Sequence, residues 1–296
     1  MSHGGFVQSL AFSPDSKLLA SIAQSSNLKL WDVATEQAVA ERNNTQLGGG
    51  PQVAFSPDGI LLVADDSGTV RVLKVPSLVE YTNFPGKRPS FLSAGTEVIY
   101  IRDGAIRRRD LKSHNEKVVG TDWNVGRVAI SPDRRLWAAS GGELTSSVRV
   151  WNADRPDQFT ELSRHVQMIW SLCFSPDGRW LASGSWDGTN RIGSMTDPRQ
   201  PAVSLVAHNG SAWAAAFSPD GRTLATGGDD NTIRLWQLAS FQQAATLREH
   251  TASVTGLAFS PDGRLLASGS GDGTVRIWRA PALDEIKSSE VLGIRR

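Results

Sequence analysis

From Glu249 onward the apolar residues fall into short stretches of the length that strands use. Val254 to Phe259 is an apolar run stopped by Ser260-Pro261-Asp262-Gly263. Proline presets its own backbone angle there, while Asp and Gly tolerate the rest of a tight turn. Arg264 to Ser270 is a second apolar stretch, closed by Gly271-Asp272-Gly273. Thr274 to Trp278 then alternates strictly, as does a strand covered differently on its two faces. After Ala280-Pro281, Leu283 to Ile286 is a weaker candidate for a fourth strand. No helical periodicity interrupts this stretch, which predicts a small antiparallel sheet. Such a sheet cannot bury both faces alone and must stack on neighbours.

The pattern returns along the chain. Phe-Ser-Pro-Asp-Gly opens at Phe55, Phe174, Phe217 and Phe259, and in altered form at Phe12 and Ile130. Successive copies start 43, 75, 44, 43 and 42 residues apart. The long step is close to two short ones, so one copy has eroded within a period of about 42 residues. The 296 residues then divide into seven repeats, near 1–44, 45–84, 85–121, 122–162, 163–205, 206–247 and 248–292. No linker or charge block separates them, so one all-β domain over 1–296 is expected. Radial stacking makes it a seven-bladed β-propeller of four-stranded antiparallel sheets, with blade three degenerate.

Particular residues make the resemblance specific. His3, His165, His208 and His250 each lie nine residues before the Phe of their repeat. His208, Thr226, Asp230 and Trp236 share their spacing with His250, Ser268, Asp272 and Trp278. Trp31-Asp32 and the sites Trp151-Asn152, Trp236-Gln237 and Trp278-Arg279 close four repeats. In these features the chain resembles the WD-repeat β-propeller family over nearly its whole length. The resemblance implies that each His, Ser/Thr, Asp and Trp set is a buried structural tetrad. It would tie the loop leading into a blade to its inner turn and third strand.

Other repeats depart from that pattern. Repeat five has Gly193 where Trp belongs, and repeat one has Ser25 for Asp. Repeat two has Ala64, Ser67 and Leu73 at the last three tetrad positions. Repeat four keeps Trp151 but has a longer inner turn at Gly141 to Thr145. Repeat three keeps only Asp103-Gly104 and the alternating Val98 to Ile101. Blades five to seven should therefore be the most regular and blade three the most mobile. The turn wording also resembles bacterial WD-repeat regions that follow a kinase or signalling NTPase. No outer strand precedes His3, so Ala282 to Leu292 would complete blade seven and the ring would close by packing of blade seven on blade one.

Composition narrows the function. A formal net charge of +1 argues against a general nucleic-acid or membrane-surface role. The single Cys173 excludes an internal disulfide and fits a reducing, cytoplasmic setting. Met1 to Gly5 leads straight into the first repeat, so no signal peptide is expected. Four of the five histidines share one recurring position, and the Ser-Pro-Asp carboxylates recur in nearly every unit. Residues repeated in this way belong to the geometry of the unit. No catalytic residues, metal site, cofactor or small-molecule substrate is expected.

Function should lie where the repeats disagree on one exposed rim. The resemblance implies that three positions reach the channel face: three and five after His, and the residue before the tetrad Asp. They yield Phe6 in repeat one, Asp66 in two and Arg102 in three. Repeat five offers Met168, Trp170 and Trp186, and repeat six offers Trp213 and Asp229. These eight residues are the candidate partner site, with the tryptophans burying an apolar or cationic group. An alternative has the tryptophans packing sideways between blades five and six, closing the hole left by Gly193. The expected function is a non-enzymatic scaffold for a protein or peptide partner, acting through its top face. Behind it come a regulatory or sensory region of a larger bacterial signalling protein and, last, a propeller hydrolase.

Overall fold

The computed structural model describes residues 1–24, 27–43, 51–64, 68–93, 97–120, 125–141, 146–153, 155 and 158–279. Each repeat supplies one antiparallel meander whose strands pair in chain order. The innermost strands are Val7–Phe12, Gln52–Phe55, Lys87–Ser93, Val125–Ile130, Ile169–Phe174, Ala212–Phe217 and Val254–Phe259. They pack side by side around a channel, the last against the first. The expectation of seven four-stranded blades needs correcting. Six sheets have four strands; among the described residues the last has three, ending at Val275–Arg279.

The Ser-Pro-Asp turns show why their residues recur. Ser260 Oγ donates to Asp262 Oδ1 at 2.5 Å, and Asp262 accepts the Arg264 N–H at 3.1 Å. Ser260 Oγ in turn accepts the Leu265 N–H at 2.9 Å. Gly263 takes φ +73°, a left-handed conformation that costs a glycine little. Ser218 and Asp220 make the same pair at 2.6 Å, as do Ser175 and Asp177. These carboxylates are consumed by their own turns.

The core lies between sheets, as the small size of each sheet requires. Ala20, Ile22, Leu28 and Leu30 of blade one pack on Val53, Leu73 and Leu78 of blade two. Val70, Val72 and Phe84 of blade two meet Val98, Tyr100 and Leu111 of blade three. Val7, Leu10, Phe12 and Trp31 meet Ala267 and Val275 where blade one adjoins blade seven. Blade three, eroded in sequence, still has four strands: Lys87–Ser93, Glu97–Arg102, Ala105–Asp110 and Glu116–Gly120.

Ring closure differs from expectation. Ser2 pairs antiparallel with Thr274 on the outer edge of the last strand. The Val275 N–H donates to Met1 O at 2.9 Å, and the His3 N–H donates to Gly273 O at 2.8 Å. The Met1 ammonium donates to Val275 O at 3.1 Å. Backbone hydrogen bonds therefore join the two ends of the ring, in addition to side-chain packing. The His165 N–H donates to Ser146 O at 2.7 Å, the same link at the boundary of blades four and five. The proposed closing strand, 282–292, lies outside the described residues.

Candidate functional site

The two full tetrads form as the spacing predicts. His208 Nδ1 meets Asp230 at 2.8 Å, its Nε2 meets Thr226 Oγ1 at 3.0 Å, and Trp236 Nε1 donates to that hydroxyl at 3.0 Å. His250 meets Asp272 at 2.8 Å and Ser268 at 2.7 Å, and Trp278 donates to Ser268 at 2.8 Å. Burial holds both imidazoles below their usual pKa, against the upward pull of their aspartates. Burial alone would raise Asp230, but hydrogen bonds from Thr232 and His208 outweigh it and bring it down to about 2.

The incomplete sets follow the departures. His165 keeps Asp187 at 3.1 Å and Ser183 at 2.8 Å. At Gly193 a Cβ would lie 2.4 Å from Leu162, so the hole left by the missing Trp is filled from blade four. The tryptophans of blades five and six are not needed to close it. In blade one, Trp31 donates to Ser21 Oγ at 2.7 Å, while His3 Nδ1 has no partner among the described residues. Trp151 Nε1 is likewise unpartnered, because Ala139 takes the hydroxyl position. Burial pushes the Cys173 thiol up to about 12, and it points to Ala215 O at 3.5 Å. A thiol so perturbed is a poor nucleophile.

A β-bulge aims the channel-facing residues. The pairing of first and second strands slips between Val7 and Ser9, Val125 and Arg127, Ile169 and Ser171, Ala212 and Ala214, and Val254 and Gly256. The skipped residues are Gln8, Gly126, Trp170, Trp213 and Thr255. A bulge re-aims the side chain it carries, and all of these except Gly126 line the channel cavity. The family resemblance had marked Trp170 and Trp213; the bulge is the reason they share a wall.

The three tryptophans form one cluster. Trp170 and Trp186 stack at 5.9 Å between ring centroids with an interplanar angle of 20°. Trp213 meets Trp170 edge-on at 5.1 Å and Trp186 at 5.7 Å. The Trp186 N–H donates to Met168 O at 3.0 Å, bracing the lead-in loop against the inner turn. Trp186 is 39% exposed, and Val166, on the same loop as Met168, is 83% exposed. Sequence reasoning missed Val166, whose signal is an apolar residue directly after the tetrad His where other repeats have Asn209 and Thr251.

Asp229 belongs to this cluster as an internal bracket. Its Oδ1 accepts Trp213 Nε1 at 2.5 Å and Ser253 Oγ at 2.8 Å; its Oδ2 accepts the Ser211 N–H at 3.0 Å. Burial would raise its pKa, but hydrogen bonds from Trp213, Ser253 and Ser211 outweigh that and lower it. Phe6 lies instead at the junction of blades one and seven, its ring 2.9 Å from where a Gly271 side chain would begin. Arg102 pairs with its neighbour Asp103 at 3.3 Å and is absent from the channel lining. Asp66 lies outside the described residues.

Two arginines complete the wall. The Arg127 guanidinium sits 4.4 Å from the Trp170 ring centroid, and Arg88 sits 5.9 Å from it. Arg127 Nε donates to Trp170 O at 2.5 Å. Trp170 therefore already carries a cation of this protein, which argues against capture of a partner's Lys or Arg on that ring. Arg127 was also missed from sequence. Its signal is a long cation three residues before the Ile of its repeat, where others have Ser9, Ser171, Ala214 and Gly256.

Comparison with known proteins agrees with the tetrads. The model of the WD domain, G-beta repeat, matches residues 1–32, 157–192, 199–237 and 241–279. Transducin beta-like protein 2 of Homo sapiens is 27% identical over 220 residues, covering 64% of this chain and 49% of the relative. Periodic tryptophan protein 2 of Arabidopsis thaliana is 36% identical over 196 residues, covering 62% and 21%. Target of rapamycin complex subunit wat1 of Schizosaccharomyces pombe is 30% identical over 97 residues, covering 29% and 30%. The chain thus spans about half the length of the human relative. These relatives are eukaryotic, and they lend no support to the expected bacterial resemblance.

Proposed function

Because the chain belongs to the WD-repeat family, we propose that it acts as a non-enzymatic, cytoplasmic scaffold that presents the channel mouth at blades five and six to a protein or peptide partner. The observation that carries this reading is the tryptophan cluster, continuous from the exposed Trp186 to Trp170 and Trp213 in the channel wall. Tryptophan is enriched among the hot spots of protein interfaces, and aromatic residues and Met are enriched at interfaces generally. Trp186, Met168 and Val166 would make first contact, and Trp170 and Trp213 would floor the site. Asp229 acts through Trp213, whose indole it holds. Phe6 and Arg102 are rim contacts in this proposal. The fission-yeast relative is a target of rapamycin complex subunit, which fits a role in assembly for this chain.

Trp186→Ala tests the reading, since this exposed ring can be removed with little disturbance of the core. The melting temperature should stay unchanged while capture of the partner falls by about tenfold or more. Trp170→Ala with Trp213→Ala should abolish capture. Capture that survives both variants in a folded protein would sink the proposal. Catalysis lost in a folded Asp229→Asn variant would instead revive a hydrolase.

A further inference from the structure

The cavity at the channel centre, about 280 Å3, has walls of one charge sign. Its charged lining residues are Arg88 and Arg127, and no Asp or Glu lines it among the described residues. Arg127 is 7% exposed, and its Nη1 has no hydrogen-bond acceptor among the described residues. Its Nε is committed to Trp170 O, which holds the guanidinium close to the Trp170 ring. Ser171, at the equivalent position of the next repeat, also lines the cavity and has an unpartnered hydroxyl. The Asp229 carboxylate is committed to Trp213, Ser211 and Ser253.

A buried cation without a countercharge is costly. The contact with Trp170 offsets part of that cost, but a ring face cannot accept the remaining N–H groups in the way an oxyanion can. We propose that Arg127 is a carboxylate receptor, filled by an Asp or Glu side chain that the partner inserts into the channel beneath the tryptophan cluster. The inference rests on the binding reading above and adds the chemistry of the inserted group. Charge complementarity argues for it. The guanidinium belongs to the cavity wall, and the small polar residues Ser9, Ser90 and Thr255 line the same cavity and leave room for one acidic side chain.

Two fluorescent peptide pools of equal length and apolar content provide the test, one with a central Glu or Asp and the other with Gln or Asn. Anisotropy titrations should show the acidic pool binding the wild type on the order of tenfold more tightly. Arg127→Gln should bring that ratio to about one, and Arg127→Lys should keep part of it. Sodium acetate should compete with the acidic pool alone. Equal binding of both pools by the wild type, or a ratio that survives Arg127→Gln, would overturn the proposal. So would retention of neither pool. Tryptophan fluorescence that responds to acetate through Arg127, without discrimination between pools, would make this a free-anion site and overturn the assignment to a partner. Loss of both pools in the Trp170 and Trp213 double variant separates the two readings: unchanged binding there defeats the tryptophan site and leaves the Arg127 ratio to be judged on its own.

Discussion

Blades three and six meet the same geometric demand with different chemistry. Each is a four-stranded sheet packed between two neighbours. In blade six the polar network runs from His208 before the first strand to Thr226, Asp230 and Trp236, with the imidazole at its centre. In blade three, Ile99 takes the hydroxyl position and is fully buried, and Arg109 follows Asp103 at the spacing by which Trp236 follows Asp230. Asp103 has no imidazole to receive, and its side chain is 72% exposed. The network moves outward instead. Tyr100 donates to Glu116 of the outer strand, which also holds Arg107 at 2.6 Å and Arg109 at 3.5 Å. Arg109 lies 4.9 Å from the Phe84 ring of blade two, and Tyr100 packs on the same ring at 4.9 Å. A blade thus tolerates loss of the tetrad when its second strand stays apolar between neighbours and its polar groups find partners elsewhere. Erosion of the motif is not erosion of the sheet.

The comparison can be broken most severely at its blade-six side. His208→Ala removes a fully buried imidazole and leaves Thr226 and Asp230 without it, so a loss of about 3 kcal/mol is expected in urea unfolding. Tyr100→Phe should cost less, about 1 kcal/mol, because Glu116 keeps both arginines. Equal costs for the two variants would mean that the blades share one stabilising logic after all.

Acid should separate the two networks further. Burial holds His3, His165, His208 and His250 below 6.5 in the folded chain. Below about pH 6.5 the unfolded chain therefore binds more protons than the folded one, and stability falls as pH drops toward the folded values. The melting temperature should decline from pH 7.5 to 5.5, and less steeply in His208→Ala. Asp230, down to about 2, adds stability that is complete above 3.8 and lost only on further acidification, so it plays no part in that window. Tyr100→Phe should leave the slope unchanged, since burial and Glu116 raise the Tyr100 phenol to about 12, far above this range. A slope that is the same in wild type and His208→Ala would show that the imidazole does not govern the decline.

The legible parts of this protein are those that the repeat states many times. A turn of Ser, Pro, Asp and Gly closes on itself within five residues, so its meaning travels with its wording. The tetrads are nearly as local: His208 and Thr226 are 18 residues apart, Thr226 and Trp236 are 10. The family resemblance also marked Trp170, Trp186 and Trp213 as neighbours on one rim, and their rings do cluster. What it could not show is that blade four supplies Leu162 to the Gly193 hole, which frees the tryptophans from that duty. Nor could it show Arg127 lying on Trp170, 43 residues away and one blade on. Arg102 read equally well as a rim residue, yet its ion pair is with its own neighbour.

The sequence by itself determined the unit: strand, turn, strand, with an inner polar network wherever His, hydroxyl, Asp and Trp keep their spacing. Those contacts lie within one sheet, where distance along the chain sets distance in space. Tertiary structure alone decided what happens between units. It joined Met1 to Val275 across 274 residues and set a buried arginine against a tryptophan of the next blade. Contacts between blades involve residues that differ from repeat to repeat, and only packing brings them together.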